Sequence, residues 1–165
     1  FLFLPLASVP AAIGIGLLLR VPYRYSFSSP QKTTVIEQMR DPYASPVRGK
    51  AIQLEGKVIG RGVPGYIFGE DMMYQDPTGL IFLNYTSLFS FIGNLFFALK
   101  KIKTLFEAPS TASGWFFRGL GSSVVLSKLE TKKETVKSYP LVWSAIFPVI
   151  LIAVSIVLGL QLINF

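Results

Sequence analysis

The chain has 165 residues and a net charge of +7, from sixteen Lys and Arg against nine Asp and Glu, and it contains no cysteine and no histidine. Disulfides, the usual zinc, iron or copper sites and nucleophile–histidine catalysis are therefore excluded within these residues. No cofactor is expected, and only a site made of carboxylates stays open.

The first predicted element is a transmembrane helix over residues 1–20. Residues 1–19 carry no formal charge, and Arg20 and Arg24 follow them. A signal peptide is the alternative, but no A-x-A-like cleavage site follows the apolar run. The chain begins with Phe rather than Met, so we interpret it as a fragment, a processed product or part of a longer protein.

The next segment, residues 21–49, is rich in Ser and Pro and is predicted to be mostly linker, with a helical turn around Thr34–Arg40. Alternating apolar residues then predict strands at 50–60, 71–75 and 80–85. The sequence Asp76-Pro77-Thr78-Gly79 is typical of a β-turn.

A helix is predicted over residues 87–107, followed by strands at 110–118 and 122–129. The order β-β-β-α-β-β is that of the OB-fold, a small five-stranded barrel. We therefore predict a mainly-β, OB-like barrel over residues 50–130, between two transmembrane helices.

The predicted helix 87–107 allows two interpretations. A stripe with helical spacing would face the barrel: Leu88, Ile92, Leu95, Leu99, Ile102 and Phe106. Phe89, Phe96 and Phe97 fall off this stripe, and Lys100 and Lys101 follow them. Either these aromatic and basic residues contact the membrane interface, or the phenylalanines belong to the core.

The last predicted element is a second transmembrane helix, 141–165, after a basic linker at 131–140. It carries no charge and is long enough to cross a bilayer. Small residues at Ala12–Gly16 and Ser155–Gly159 have the spacing that lets helices pack. Basic residues lie where each predicted helix joins the segment between them, and this predicts that the β-domain is cytoplasmic. Its positive charge favours an anionic leaflet, so the bilayer is an expected partner.

No catalytic motif is found in the middle of the chain. Glu70, Asp71 and Asp76 are the only acidic cluster, and a structural role is preferred to acid–base chemistry or Mg²⁺ or Ca²⁺ binding. The glycines of the sequence GRGVPG (residues 60–65) form no phosphate-loop pattern. Basic and aromatic residues that would suit nucleic acid are present (Arg61, Tyr66, Phe68, Trp115, Arg118), but the membrane helices already explain the basic charge, and no nucleic-acid partner is expected.

Four motifs resemble the C-terminal, non-catalytic region of HtpX-like membrane zinc metalloproteases. They are S-P-V-R-G at 45–49, L-x-G-x-V-I-G-R-G-x-x-G at 54–65, E-D-x-x-x-Q-D-x-T-G at 70–79 and G-W-F-x-R at 114–118. The resemblance marks these as motif residues: Gly60, Arg61, Gly62, Pro64, Gly65, Glu70, Asp71, Asp76, Gly79, Trp115 and Arg118.

The resemblance implies an accessory domain in membrane-protein quality control. Zinc in that family is held by an H-E-x-x-H helix, which this chain lacks, so no catalytic or metal residue carries over. The implied partner is a catalytic protease part or another membrane protein, and a homo-oligomer stays open. Weaker resemblances, in layout only, are to NfeD-like proteins, which partner stomatin-like scaffolds, and to membrane-bound ubiquitin ligases.

Overall fold

The computed structural model describes residues 4–62, 71–97, 99, 102–119 and 121–163. These residues form two compact units. One unit holds the two terminal segments, and the other is Tyr25–Pro140, the β unit.

The terminal unit contains helix α1, Leu4–Arg24, and helix α4, which begins at Pro140 and ends at Ile163. Within the described residues, one helix is long and apolar enough to cross a membrane, Pro140–Gln161, with a mean hydropathy of 2.7. The two helices approach closely at Gly14, where a Cβ atom would lie 2.8 Å from the Pro148 carbonyl oxygen. Of the residues with small-residue spacing, Gly16 and Gly159 face open space, whereas Ser155 is buried.

The β unit is built on a seven-stranded mixed sheet. Its strands are β1 Gln31–Lys32, β2 Lys50–Arg61, β3 Met72–Asp76, β4 Gly79–Asn84, β5 Pro109–Phe117, β6 Ser123–Thr131 and β7 Thr135–Lys137. Five of them close a ring in the order β2-β3-β4-β6-β5, because β5 pairs again with β2. The pairs β4–β6 and β1–β2 are parallel, and the other pairs are antiparallel.

The inside of this ring is the hydrophobic core. Alternation along β2 turns Ile52, Leu54 and Val58 inward, and each is fully buried. Tyr74 of β3 is also fully buried, and its hydroxyl donates to the Ser110 carbonyl oxygen at 2.6 Å. The predicted order of three strands, a helix and two strands is the one observed.

Two segments predicted as linkers belong to the β unit. Within 21–49, β1 pairs with β2, and helix α2, Val35–Arg40, inserts Val35 into the core. Within 131–140, β7 pairs with β6 and buries Val136. Strands this short carry too few residues to show a period, which is why alternation did not predict them.

The helix predicted at 87–107 is observed as segments of different helical type, with Phe97 and Leu99 in π-helical conformation between them. Helix α3 runs over Ser90–Phe96, and a separate 3₁₀ turn runs over Ile102–Leu105. The chain leaves that turn through Glu107, which has a φ of 59°. Among the described residues other than glycine, it alone has a positive φ.

Candidate membrane-facing surface

Helix α3 and its flanks expose a cluster of large apolar side chains. The most exposed is Phe89, at 76%, followed by Ile92 at 64% and Phe96 at 59%. Leu88 and Leu99 are each nearly half exposed. We call these five residues the α3 surface. Their contiguity along one short segment distinguishes them from apolar residues scattered singly on a protein surface.

The opposite side of α3 is buried, and part of it is polar. The Asn94 side-chain oxygen accepts a hydrogen bond from the Ser87 backbone N–H at 2.7 Å, and both residues are buried. Gly93 lies against the Ser87 hydroxyl with no room for a Cβ atom. Phe97 stacks on Tyr85 with ring centroids 3.9 Å apart.

The orientation of α3 is therefore fixed by contacts on its buried side. A helix of a water-soluble domain normally turns its apolar face inward and its polar face to solvent. Helix α3 buries its asparagine, Asn94, and leaves the side chains of Ile92 and Phe96 exposed. Such a polarity suits contact with an apolar phase outside the domain, a lipid interface or an apolar partner.

The α3 surface lies next to the point where the chain leaves the β unit for α4. The Tyr139 backbone N–H donates to the Thr86 carbonyl oxygen at 2.8 Å. The Ser138 hydroxyl oxygen accepts from the Thr86 N–H at 2.9 Å. Thr86 precedes Leu88 by two residues, so these bonds hold the start of the apolar segment beside Pro140.

The residues predicted for a membrane interface fall into three groups. Phe89 and Phe96 are exposed on the α3 surface. Phe97 is 3% exposed and belongs to the core, which corrects its assignment to the interface. Lys100 and Lys101 lie outside the described residues, and Lys103 just beyond them is exposed.

The helical stripe is also divided. Ile102 is buried in the core, as expected for a barrel-facing position. Leu88, Ile92 and Leu99 of the same stripe are exposed instead. Spacing alone identified a common face but not which phase that face contacts.

Asp76 has a structural role. Its buried carboxylate accepts from the Val35 N–H at the start of α2 and from the N–H groups of Thr78 and Gly79, each at 2.7 Å. Burial raises the pKa of Asp76, but these hydrogen bonds outweigh it and hold the pKa below its ordinary value. One carboxylate thus organises the predicted β-turn and attaches α2 to it.

Asp71 comes just before β3 and makes different contacts from Asp76. Burial raises the pKa of Asp71, and its backbone carbonyl accepts from the Gly62 N–H at 2.6 Å. Glu70 lies outside the described residues. The part of the chain that the structure describes has no group of three or more acidic, Cys or His residues able to hold a metal ion.

The residues of the S-P-V-R-G and G-W-F-x-R motifs connect the start of the β unit to the ring. The Trp115 indole N–H donates to the Ser26 carbonyl oxygen at 2.8 Å, and Tyr25 packs edge-on against the Trp115 ring. The Arg118 guanidinium donates to the Asp41 carbonyl oxygen at 2.7 Å. The Arg118 backbone N–H donates to the Ser45 carbonyl oxygen. These contacts attach residues 25–49 to β5.

The glycine-rich motif is placed in part. Gly60 and Arg61 lie at the end of β2, where the pairing with β3 shifts register between Val58 and Gly60. Gly62 follows them, and Gly79 begins β4. Pro64 and Gly65 lie outside the described residues.

Sequence reasoning missed the polar residues that position the helices. Thr34 and Glu37 form a capping box at the start of α2, a pattern that T-x-x-E signals directly. Asn94 and Ser87 fix α3, but Ser and Asn seven residues apart match no recognised capping spacing. Only the structure shows that these polar residues lie on the buried side.

Comparisons with known proteins add little to this description. No protein-family model matches the chain, and no match was found among curated proteins. Among solved structures, the chain is similar to the hypothetical protein ygiW from E. coli, at 10% sequence identity and a TM-score of 0.43. That similarity covers 63% of this chain and 92% of ygiW.

Proposed function

We propose that the chain is a non-catalytic, membrane-anchored domain whose OB-type barrel lies on the bilayer surface through the α3 surface. The observation that carries this proposal is the polarity of α3: the Asn94 side chain is buried, whereas Ile92, Phe96 and, just before the helix, Phe89 are exposed. Side chains of this kind enter the interfacial region of a bilayer when a helix lies flat on it. The proposal includes residues 1–20 as a second membrane helix.

The connections to the helices support a position at the lipid surface. Helix α1 ends at Arg24, and the β unit begins at Tyr25. Helix α4 begins at Pro140, the last residue of the β unit. A domain joined to membrane-spanning helices without intervening residues has little freedom to move away from the headgroups.

The biological role that we propose is that of an accessory domain of an HtpX-like zinc metalloprotease, on the cytoplasmic side. The support is the set of four motifs between Ser45 and Arg118, together with basic residues next to both helices. The domain would position a protease at the bilayer or bind its substrates. A contiguous upstream H-E-x-x-H in the same reading frame is the expected genomic finding.

The second candidate is a stand-alone scaffold that binds another membrane protein, as in NfeD-like systems. The exposed α3 surface favours this candidate, since an apolar protein partner would cover that surface as well as lipid would. A short independent reading frame would support this candidate and would contradict the protease assignment.

Lipid contact is tested in the full chain, which contains no native cysteine to remove. A fluorophore is attached to the cysteine of the Phe96→Cys variant, and the variant is placed in a nanodisc of zwitterionic lipid. The lipid carries spin-labelled acyl chains, and quenching of the fluorophore by the spin label is measured. Thr135→Cys, at an exposed position on β7, is the control. Strong quenching at residue 96 and weak quenching at residue 135 are expected. Equal weak quenching at both would refute lipid contact and favour a protein partner.

A further inference from the structure

The hairpin formed by β6 and β7, residues 123–137, is attached to both ends of the segment that carries the α3 surface. Just after β7, the Ser138 hydroxyl donates to the Thr86 carbonyl oxygen at 3.2 Å, and Thr86 precedes the α3 surface. Just before β7, a Glu134 carboxylate oxygen accepts from the Thr104 hydroxyl at 3.2 Å, and Thr104 follows the α3 surface. The α3 surface therefore lies between two attachments to the hairpin, all within the β unit.

The hairpin and the residues that follow the α3 surface carry an excess of positive charge. Residues 102–107 and 128–137 contain five lysines and three glutamates. The lysines are Lys103, Lys128, Lys132, Lys133 and Lys137, and the glutamates are Glu107, Glu130 and Glu134. Lys128 forms an ion pair with Glu130. The other four lysines are exposed and have no hydrogen-bond or ion-pair partner within the described part of the chain.

One pair of these lysines is unfavourable within the β unit itself. Lys137 lies directly across from Lys128 in the ladder between β6 and β7. Like charges at directly opposite positions destabilise a pair of strands. The ion pair with Glu130 engages Lys128 and leaves the exposed Lys137 ammonium available. An anion from outside the chain would offset the repulsion at this position.

An apolar surface bordered by lysines matches the chemistry of a bilayer interface. The large apolar side chains reach the acyl boundary, and ammonium groups beside them meet the headgroups. Anionic headgroups attract such lysines, whereas zwitterionic headgroups have no net charge to offer them. The charge complementarity and the attachment of the hairpin to the α3 segment both favour an anionic lipid surface as the occupant.

We propose that the lysines of the β6–β7 hairpin bind the headgroups of anionic phospholipids and gather these lipids around the α3 surface. This inference rests on the lipid contact in the proposed function and adds the class of lipid that the surface selects. The selection comes from charges at one border of the α3 surface, not from the net charge of the β unit as a whole.

The test uses the full chain with a fluorophore on the cysteine of Phe96→Cys. The chain is placed in nanodiscs of zwitterionic lipid that contain a small fraction of lipid with a spin-labelled acyl chain. This labelled lipid is anionic in one sample and zwitterionic in the other. We expect roughly five-fold stronger quenching by the anionic labelled lipid, the ratio that corresponds to about 1 kcal/mol for a basic residue at an anionic surface. Lys133→Gln/Lys137→Gln should bring the ratio close to one.

Lys32→Gln/Arg40→Gln is the matched control, because it removes the same charge from exposed residues on β1 and α2. It should leave the ratio unchanged, and an equal fall in both double variants would overturn the proposal in favour of net charge. Equal quenching by the two labelled lipids in the chain with all its lysines would overturn lipid selection but leave the proposed lipid contact intact. Quenching by neither lipid would refute the lipid contact itself, so the two failures are distinguishable.

Discussion

Replacing the phenylalanines around α3 by serine should separate lipid contact from folding. Phe97 is 3% exposed and stacks on Tyr85, whereas Phe89 and Phe96 are mostly exposed. We therefore expect Phe97→Ser to destabilise the β unit strongly. The double variant Phe89→Ser/Phe96→Ser should leave the unit folded and weaken its lipid contact.

The structure gives the sizes of these effects. Truncation of a buried phenylalanine costs about 3–5 kcal/mol, and loss of a stacked aromatic pair adds about 0.5–1.5 kcal/mol. This is a large part of the roughly 5–15 kcal/mol that stabilises an ordinary domain. Surface substitutions cost about 0.5 kcal/mol each. Lipid would bury most of the Phe89 and Phe96 side chains, so their loss should weaken lipid contact by roughly 2–4 kcal/mol together.

The assay is urea unfolding of the full chain in nanodiscs, followed by the fluorescence of Trp115. The substitution Trp143→Phe removes the other tryptophan of the chain. Quenching of a fluorophore at Ile92→Cys by spin-labelled lipid reports contact of the same variants. If the double variant unfolds as readily as Phe97→Ser, the exposed phenylalanines belong to the core, and the argument from the polarity of α3 is wrong.

Three further predictions concern stability. Burial raises the pKa of Tyr74 to about 12 from an ordinary value of 10.0, so the folded state holds this proton more tightly than the unfolded state. The free energy of unfolding should therefore fall by up to about 3 kcal/mol as the pH rises through that range. Tyrosinate absorbance would show this as a late ionisation that coincides with unfolding. Gly14→Leu should lower the thermal unfolding temperature of the terminal unit in detergent, because a side chain there meets the Pro148 carbonyl. Gly16→Leu is the control and should leave that temperature unchanged, because Gly16 faces open space. Equal effects of the two substitutions would contradict the close approach of the helices. Asp76→Asn should lower the free energy of unfolding by about 2 kcal/mol, since it weakens charge-assisted hydrogen bonds to Val35 and the turn. It should also make unfolding less sensitive to acid, because a carboxylate with a lowered pKa loses its stabilising contribution as the pH falls. An unchanged urea midpoint would refute this.

The strands of the ring were predictable because their signals are local. Alternation identified β2, and Asp76-Pro77-Thr78-Gly79 identified the turn between β3 and β4. Closure through β5 and β2 depends on pairings between residues about sixty positions apart, for example Lys50 with Phe116. No local pattern encodes such a pairing, so the element order was the only sequence evidence for a ring.

The sequence predicted which residues of the α3 surface share a helical face, but not whether that face contacts the core or the outside. Spacing at three and four residues shows which side chains share a helical face, but lipid and protein core select the same apolar residues. The sequence thus grouped Ile92 with Ile102, although one is exposed and the other is buried. Phe97 is distinguished from Phe96 by its stacking on Tyr85, which depends on where β4 ends.

The polar residues of the β unit described here hold distant segments of the chain together. Asp76, Arg118 and Trp115 each use their polar side-chain atoms on backbone groups that hold distant segments together. Contacts of this kind give the ring a fixed shape. The same fixed shape sets which side of α3 faces outward, since the Ser87 N–H donates to the buried Asn94 side chain while Phe89 and Phe96 are exposed. The described motif residues Asp76, Trp115 and Arg118 are therefore part of a rigid framework, and the α3 surface is the apolar face of that framework.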